Sequence, residues 1–263
     1  MSAPGESFSA DEPAPCEVAG LEGRSPFVIV CDHASRRLPR FLGDLGLSEA
    51  ERASHIAWDI GAAQVARGLA AALDATVFLQ AYSRLVIDCN RPLSAPDSIV
   101  VRSERSRISG NEGITPAAAV ARARDVFHPY HDRIRAELDE RQRSGRPVIL
   151  VSVHSFTPVF MDVPRPWHAG VLHLGDTRLA LPLLRLLRSE PDLVVGHNEP
   201  YAASEASDYS ILEHGEHRGI PYAELEIRQD LIAEVAGQRA WSARLARLLP
   251  RAVEQGIEKG LIA

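Results

Sequence analysis

Two apolar runs, far apart in the chain, end in the same way. Phe27-Val28-Ile29-Val30-Cys31 leads into Asp32-His33-Ala34-Ser35, and Pro147-Val148-Ile149-Leu150-Val151-Ser152-Val153 leads into His154-Ser155. Continuous aliphatic runs of this length, without polar alternation, are the pattern of strands covered on both faces, as parallel sheets require. Each strand therefore delivers a histidine to its C-terminal tip, where open α/β sheets place their chemistry. Two imidazoles presented in this way suggest a metal site assembled by the fold.

Further strand-like runs lie at 75–79, 85–87, 170–174, 193–195 and 222–227. Helical spacing fills the gaps at 50–73, with a break near Asp59-Ile60-Gly61, and at 116–144, 178–189 and 238–259. Thr115-Pro116 is a strong helix start, a hydroxyl cap followed by proline at the first helical position. Strands alternating with helices of this length imply a mainly parallel or mixed sheet with helices on both faces. At 263 residues and 45% hydrophobic, the chain can bury one large core, so residues 25–263 are expected to form a single domain. Residues 1–24, rich in Ser, Ala, Pro, Gly and acid, read as a flexible or loosely docked tail.

A net charge of −6, with arginines dispersed or beside the candidate site, argues against a nucleic-acid surface. No apolar run approaches the roughly 20 residues of a membrane span, and no secretory leader pattern opens the chain, so a cytoplasmic protein is expected. Three cysteines without a CxxC pairing make neither a disulfide framework nor a thiolate zinc site. A metal here would be held by histidine and carboxylate.

His33 and His154 are the obvious ligands for such a metal. Asp59 is the preferred third and Asp32 the alternative, since neighbouring strand residues point to opposite faces. A strand-end histidine is commonly a hydrogen-bonded structural group, and Asp59 suits a helix N-cap as well. Arg84 and Arg91 bracket the segment Ser83 to Pro92, and Asn90-Arg91 offers amide and guanidinium donors suited to a carboxylate. The alternative is a structural pairing of Arg84 with Asp88. In Glu224-Leu225-Glu226-Ile227-Arg228, alternation puts two acids and an arginine on one side of a strand whose other face is apolar. Glu226 is a candidate general base and Arg228 a candidate for tuning it or binding substrate; the competing reading is an edge-strand Glu–Arg ladder. Gly110-Asn111-Glu112-Gly113 reads as a turn or substrate loop. The spacings His128/His131 and His214/His217 read first as exposed polar faces.

With these clusters in view, the chain resembles the N-formylglutamate amidohydrolase family. The matching segments, in order, are Cys31 to Ser35 with Pro39, His55 to Ala62, Ser83 to Pro92, His154 to Pro158, and Glu226 to Leu231. The resemblance implies a three-layer α/β/α domain of phosphorylase/hydrolase-like, zinc carboxypeptidase-like type. It also implies one Zn²⁺ per chain on His33 and His154, with Asn90 and Arg91 gripping the substrate carboxylate and Glu226 as base. The implied reaction is hydrolysis of a small anionic N-acyl amino acid, N-formyl-L-glutamate in the named case, as in histidine degradation. The wider superfamily carries His-x-x-Glu at its first motif, whereas Arg36 follows His33 here, which leaves the third ligand open between Asp59 and Asp32.

Overall fold

The computed structural model describes residue 8, residues 11–258 and residue 260. In chain order the strands are β1 (Cys16–Ala19), β2 (Phe27–Cys31), β3 (Thr76–Gln80), β4 (Arg102–Ser103), β5 (Ser106–Arg107), β6 (Ile149–Phe156), β7 (Val159–Phe160), β8 (Val163–Pro164), β9 (Ala169–Leu172), β10 (Val195–His197) and β11 (Tyr222–Arg228). The helices are α1 (Glu49–Ala53), α2 (Ala62–Leu73), α3 (Pro116–Arg122), α4 (His128–Arg143), α5 (Ala180–Arg188), α6 (Tyr209–His214) and α7 (Val235–Glu258). Seven strands form a mixed sheet in the order β1-β3-β2-β6-β11-β9-β10, while β4–β5 and β7–β8 are separate hairpins. The β3-β2-β6-β11 core is parallel; β1 and β9 run against their neighbours β3 and β11.

Both faces of the sheet are covered. Ile29, Val151 and Leu225 enter one core with α2, α5 and α7, and Val28, Leu150 and Tyr222 enter the other with α4 and α6. The two faces then diverge. The first stays apolar to the strand ends, through Cys31, Val153 and Ile227. The second turns polar toward the C-terminal ends of three adjacent strands, where alternation brings up Ser152 and His154 on β6, Glu224 and Glu226 on β11, and Asp32 just past β2. All five are buried.

The predicted break at Asp59-Ile60-Gly61 is present. Gly61 has φ +81°, and a Cβ there would lie 2.1 Å from the Ile232 carbonyl oxygen, so only glycine allows this approach. The 116–144 helix is continuous but carries a π-helical turn at 123–127, just before Pro129, whose ring nitrogen cannot donate to the preceding turn. Residues 85–87 are not a strand. Ser83 caps the segment, accepting from Leu85 N at 3.1 Å and donating to the Ala57 carbonyl at 2.7 Å. The apolar triplet packs as a buried turn, which a short hydrophobic run cannot reveal. Of the predicted tail, residues 1–7, 9 and 10 lie outside the described residues, and Cys16–Ala19 dock as β1 against β3.

Candidate active site

His33 follows β2 and His154 lies near the end of β6, two strands that are neighbours in the sheet. Asp59 reaches them because its own N–H donates to the His33 carbonyl at 2.9 Å in the break before α2. One ligand atom from each of His33, Asp59 and His154 lies within 4.8 Å of the others, and all three residues are buried. The Asp59 Oδ2 atom is 2.8 Å from His154 Nδ1 and 3.3 Å from His33 Nδ1. It also accepts from Ser155 N at 3.2 Å. Gly61 rather than Asp59 caps α2, and no side chain supplies that cap, so the carboxylate belongs to the histidines.

Both Nε2 atoms are engaged elsewhere. His33 Nε2 meets Asp88 Oδ1 at 2.7 Å, and His154 Nε2 meets Asp32 Oδ2 at 3.2 Å and Ser152 Oγ at 3.0 Å. Asp32 is itself fixed by Ser210 Oγ, which donates to it at 2.6 Å. A carboxylate on the outer nitrogen fixes ring orientation and leaves Nδ1 to face a metal. Asp32 is therefore placed behind His154 rather than beside His33 and Asp59. Asp59 is the third member of the set, and two imidazoles with one carboxylate match zinc.

The electrostatics point the same way. Burial depresses both histidines and Arg84 adds to the fall at His33, but Asp88 and Asp59 outweigh them there, and Glu224, Asp32 and Asp59 push His154 well above its usual range. Burial works against ionisation of Asp88, yet Arg84 and His33 hold it well below the usual carboxylate range. The trio thus sits among carboxylates whose charge outweighs that of the neighbouring Arg84 at both rings.

Glu226 is paired in register with His154 across the β11–β6 ladder. Its carboxyl is buried with Oε2 free of any hydrogen bond among the described residues. Burial pushes it up to about 8, with Asp59 adding to the rise and His154 opposing it. These groups open into a cleft of about 620 Å³ that also takes in Arg84, Asn90, Arg91, Tyr201 and Glu224.

Ser210 N donates to Asn90 Oδ1 at 3.0 Å, which fixes the amide and leaves its Nδ2 as the uncommitted end. Arg91 is held by Asp97 at 3.1 Å through Nε and by the Ser207 carbonyl through one terminal nitrogen. Arg84 donates to Asp88 at 2.5 Å, so the structural pairing is real, yet its other terminal nitrogen lies 3.4 Å from His33 Nδ1. Arg228 does not line the cleft; its guanidinium pairs with Asp230 at 2.8 Å.

A model of the N-formylglutamate amidohydrolase family matches residues 25–233. The chain belongs to the N-formylglutamate amidohydrolase family. Membership makes it a hydrolase of amide bonds. Among solved structures, gene product Atu2144 from Agrobacterium tumefaciens is similar at 37% identity and a TM-score of 0.92, covering 95% of this chain and 99% of its own. An N-formylglutamate amidohydrolase from Ralstonia eutropha JMP134 shares the fold at 20% identity and a TM-score of 0.67, covering 94% of this chain and 100% of its own. No curated protein matches the sequence. Among the described residues, no helix of this amidohydrolase-family chain is long and apolar enough to cross a membrane.

Sequence reasoning placed Asp88 only as a partner of Arg84, missing its contact with His33, and gave Ser152 and Ser210 no role. Asp88 carried a signal, an acid four residues after Arg84 inside a segment already singled out. The serines carried none, because small hydroxyls are too common to mark a site.

Proposed function

We propose that this chain is a zinc-dependent amidohydrolase that hydrolyses N-formyl-L-glutamate to formate and L-glutamate. The observation that carries the reading is the convergence of His33, Asp59 and His154 beside Glu226, a buried acid with a free oxygen level with His154 on the next strand. His33 Nδ1, Asp59 and His154 Nδ1 would hold one zinc ion. When bound, zinc supplies Lewis acidity, which makes water nucleophilic near neutral pH and polarises an amide carbonyl.

Every other step falls to the chain's own groups. Asn90 Nδ2 and the free end of Arg91 receive the substrate carboxylate and orient the amide. Glu226 accepts the proton of the attacking water and passes it to the departing nitrogen as the C–N bond breaks. A cation on the trio lowers the Glu226 carboxyl toward working pH, opposing its burial. Arg84, anchored by Asp88, sets fixed positive charge beside His33, where negative charge on the acyl oxygen is stabilised. We propose residues 25–263 as the catalytic unit, with β1 closing the sheet edge and a cytoplasmic setting.

Release of amine from N-formyl, N-acetyl and N-succinyl amino acids, measured with and without chelator, tests this reading. N-formylglutamate should be turned over fastest, and chelator should stop it. Preference for another acyl group would move the substrate assignment, and full activity in chelator would sink the metal requirement.

A further inference from the structure

The cleft holds three guanidinium groups, and two are already committed. Arg84 is bound to Asp88, and Arg91 to Asp97 and the Ser207 carbonyl. The third is Arg102, on the β4–β5 hairpin, which lines the same cleft and donates no side-chain hydrogen bond to any described residue. Glu112, whose charge Arg102 feels, is taken by both arms of Arg107.

The hairpin is not a loose surface turn. Asn111, fully buried, donates to the Leu85 carbonyl at 2.9 Å and the Val100 carbonyl at 2.8 Å. Arg122 in turn donates to its Oδ1 at 2.7 Å. One side chain thereby ties the approach to Arg102 to the segment that carries Arg84 and Arg91. Two further contacts lie at the hairpin turn: Glu104 sits 3.2 Å from His55, and Arg105 meets Asp162 of the β7–β8 turn at the exposed surface. A guanidinium with no hydrogen-bond partner among the described residues is thus carried on a tied hairpin over a cleft whose other two guanidiniums are partly committed to the protein's own groups.

We infer that Arg102 is a specificity-determining residue that receives the second, side-chain carboxylate of a dicarboxylic N-acyl amino acid. The inference rests on the proposed reading, in which Asn90 and Arg91 take the first carboxylate. The substrate then spans the cleft between two cationic posts, with its amide over the metal trio. Selection against neutral side chains arises from one charge-assisted contact, worth about 10-fold in affinity. Because Arg102 is exposed, salt erodes the preference.

Glutarate and butyrate test this, being the same three-carbon backbone bearing two carboxylates and one. Calorimetric titration of the zinc-loaded protein should give glutarate about 10-fold tighter binding than butyrate, and Arg102→Gln should bring the two to parity. The kcat/KM for N-formylglutamate relative to N-formylglutamine should fall by the same factor. A glutarate-to-butyrate ratio unchanged by Arg102→Gln overturns the inference, as does a loss shared equally by both ligands. If no N-formyl amino acid is turned over, the proposed function fails while the binding ratio still decides the role of Arg102.

Discussion

The described residues include two buried histidine pairs of similar separation and opposite character, the first edge-on and the second stacked. His33 and His154 have ring centroids 4.9 Å apart; His131 and His214 have theirs 5.2 Å apart. The first pair is ringed by Asp59, Asp88 and Asp32, and both rings are pushed up. Among the described residues, the second has no carboxylate in contact. His131 Nε2 donates to the Cys89 carbonyl at 2.9 Å, its Nδ1 accepts from His214 Nε2 at 3.0 Å, and His214 Nδ1 has no hydrogen-bond partner among the described residues. Burial accordingly drives His131 down to about 4 and His214 well below its usual range. Burial and pairing alone therefore make a neutral structural pair; the surrounding acids are what make the first pair a candidate cation site. The two pairs sit on either side of one short segment, since His131 steadies the Cys89 carbonyl between Asp88 and Asn90.

The largest effects should come from the first pair. His154→Ala should release zinc and lower kcat/KM by roughly 10³-fold or more, the several kcal/mol a Lewis acid contributes. Metal content and rate measured together check this. His131→Gln should keep one zinc per chain, and loss of zinc from that variant would erase the distinction between the pairs. Glu226→Gln should keep the metal while kcat falls by about 10²- to 10⁴-fold. Full turnover in that protein would remove Glu226 as the base.

Next come the acids that make the difference between the pairs. Asp32→Asn and Asp88→Asn leave the three inner ligand atoms in place but remove the charge behind each ring. Zinc affinity should fall by about 10- to 100-fold for each. Competition against a chromogenic chelator reads this directly. Unchanged affinity in both would mean that the outer carboxylates are structural, and that the inner Asp59 alone separates the two pairs.

Much of this was legible from residues, and the gaps have physical causes. The strands at 27–31 and 222–227 could be read because unbroken or alternating apolar character survives burial. His33, His154 and Glu226 could be read because a charged or imidazole side chain at the end of such a strand has few bland explanations. The 85–87 triplet misled because a buried turn and a short strand carry the same letters. His131 and His214 were read as polar surface because helical spacing says which face a residue shares, not what packs against it. Only their companions at the same spacing, His128 and His217, lie exposed. Asp59 could be proposed but not separated from Asp32 until the backbone bond from Asp59 to His33 fixed its place.

The second pair predicts a pH effect of its own sign. Both folded values are depressed below 6.5, so the neutral rings contribute stability that is fully present above about 6.5 and is lost as pH falls toward about 4. Urea unfolding with zinc in excess should show stability dropping by on the order of 1 kcal/mol per pH unit from this source between those limits. Combined His131→Gln and His214→Gln should flatten that slope. An identical slope in the double variant would show that neither ring is kept neutral by the fold.

The smallest effect concerns a cation outside the cleft. Arg228 continues the strand face that carries Glu224 and Glu226, so alternation alone would bring it to the site. The chain leaves β11 immediately after it, and Asp230 in the following turn captures the guanidinium at 2.8 and 3.2 Å. Asp230 is half exposed, so water already screens the pair and its contribution should be below about 1 kcal/mol. Arg228→Gln should therefore shift the denaturation midpoint little and leave kcat/KM within about twofold. A rise in KM of about 10-fold without a change in kcat would mean that the guanidinium leaves Asp230 when substrate arrives. The cleft would then recruit charge from beyond its walls, and the contrast between committed cations and the free Arg102 would have to be redrawn.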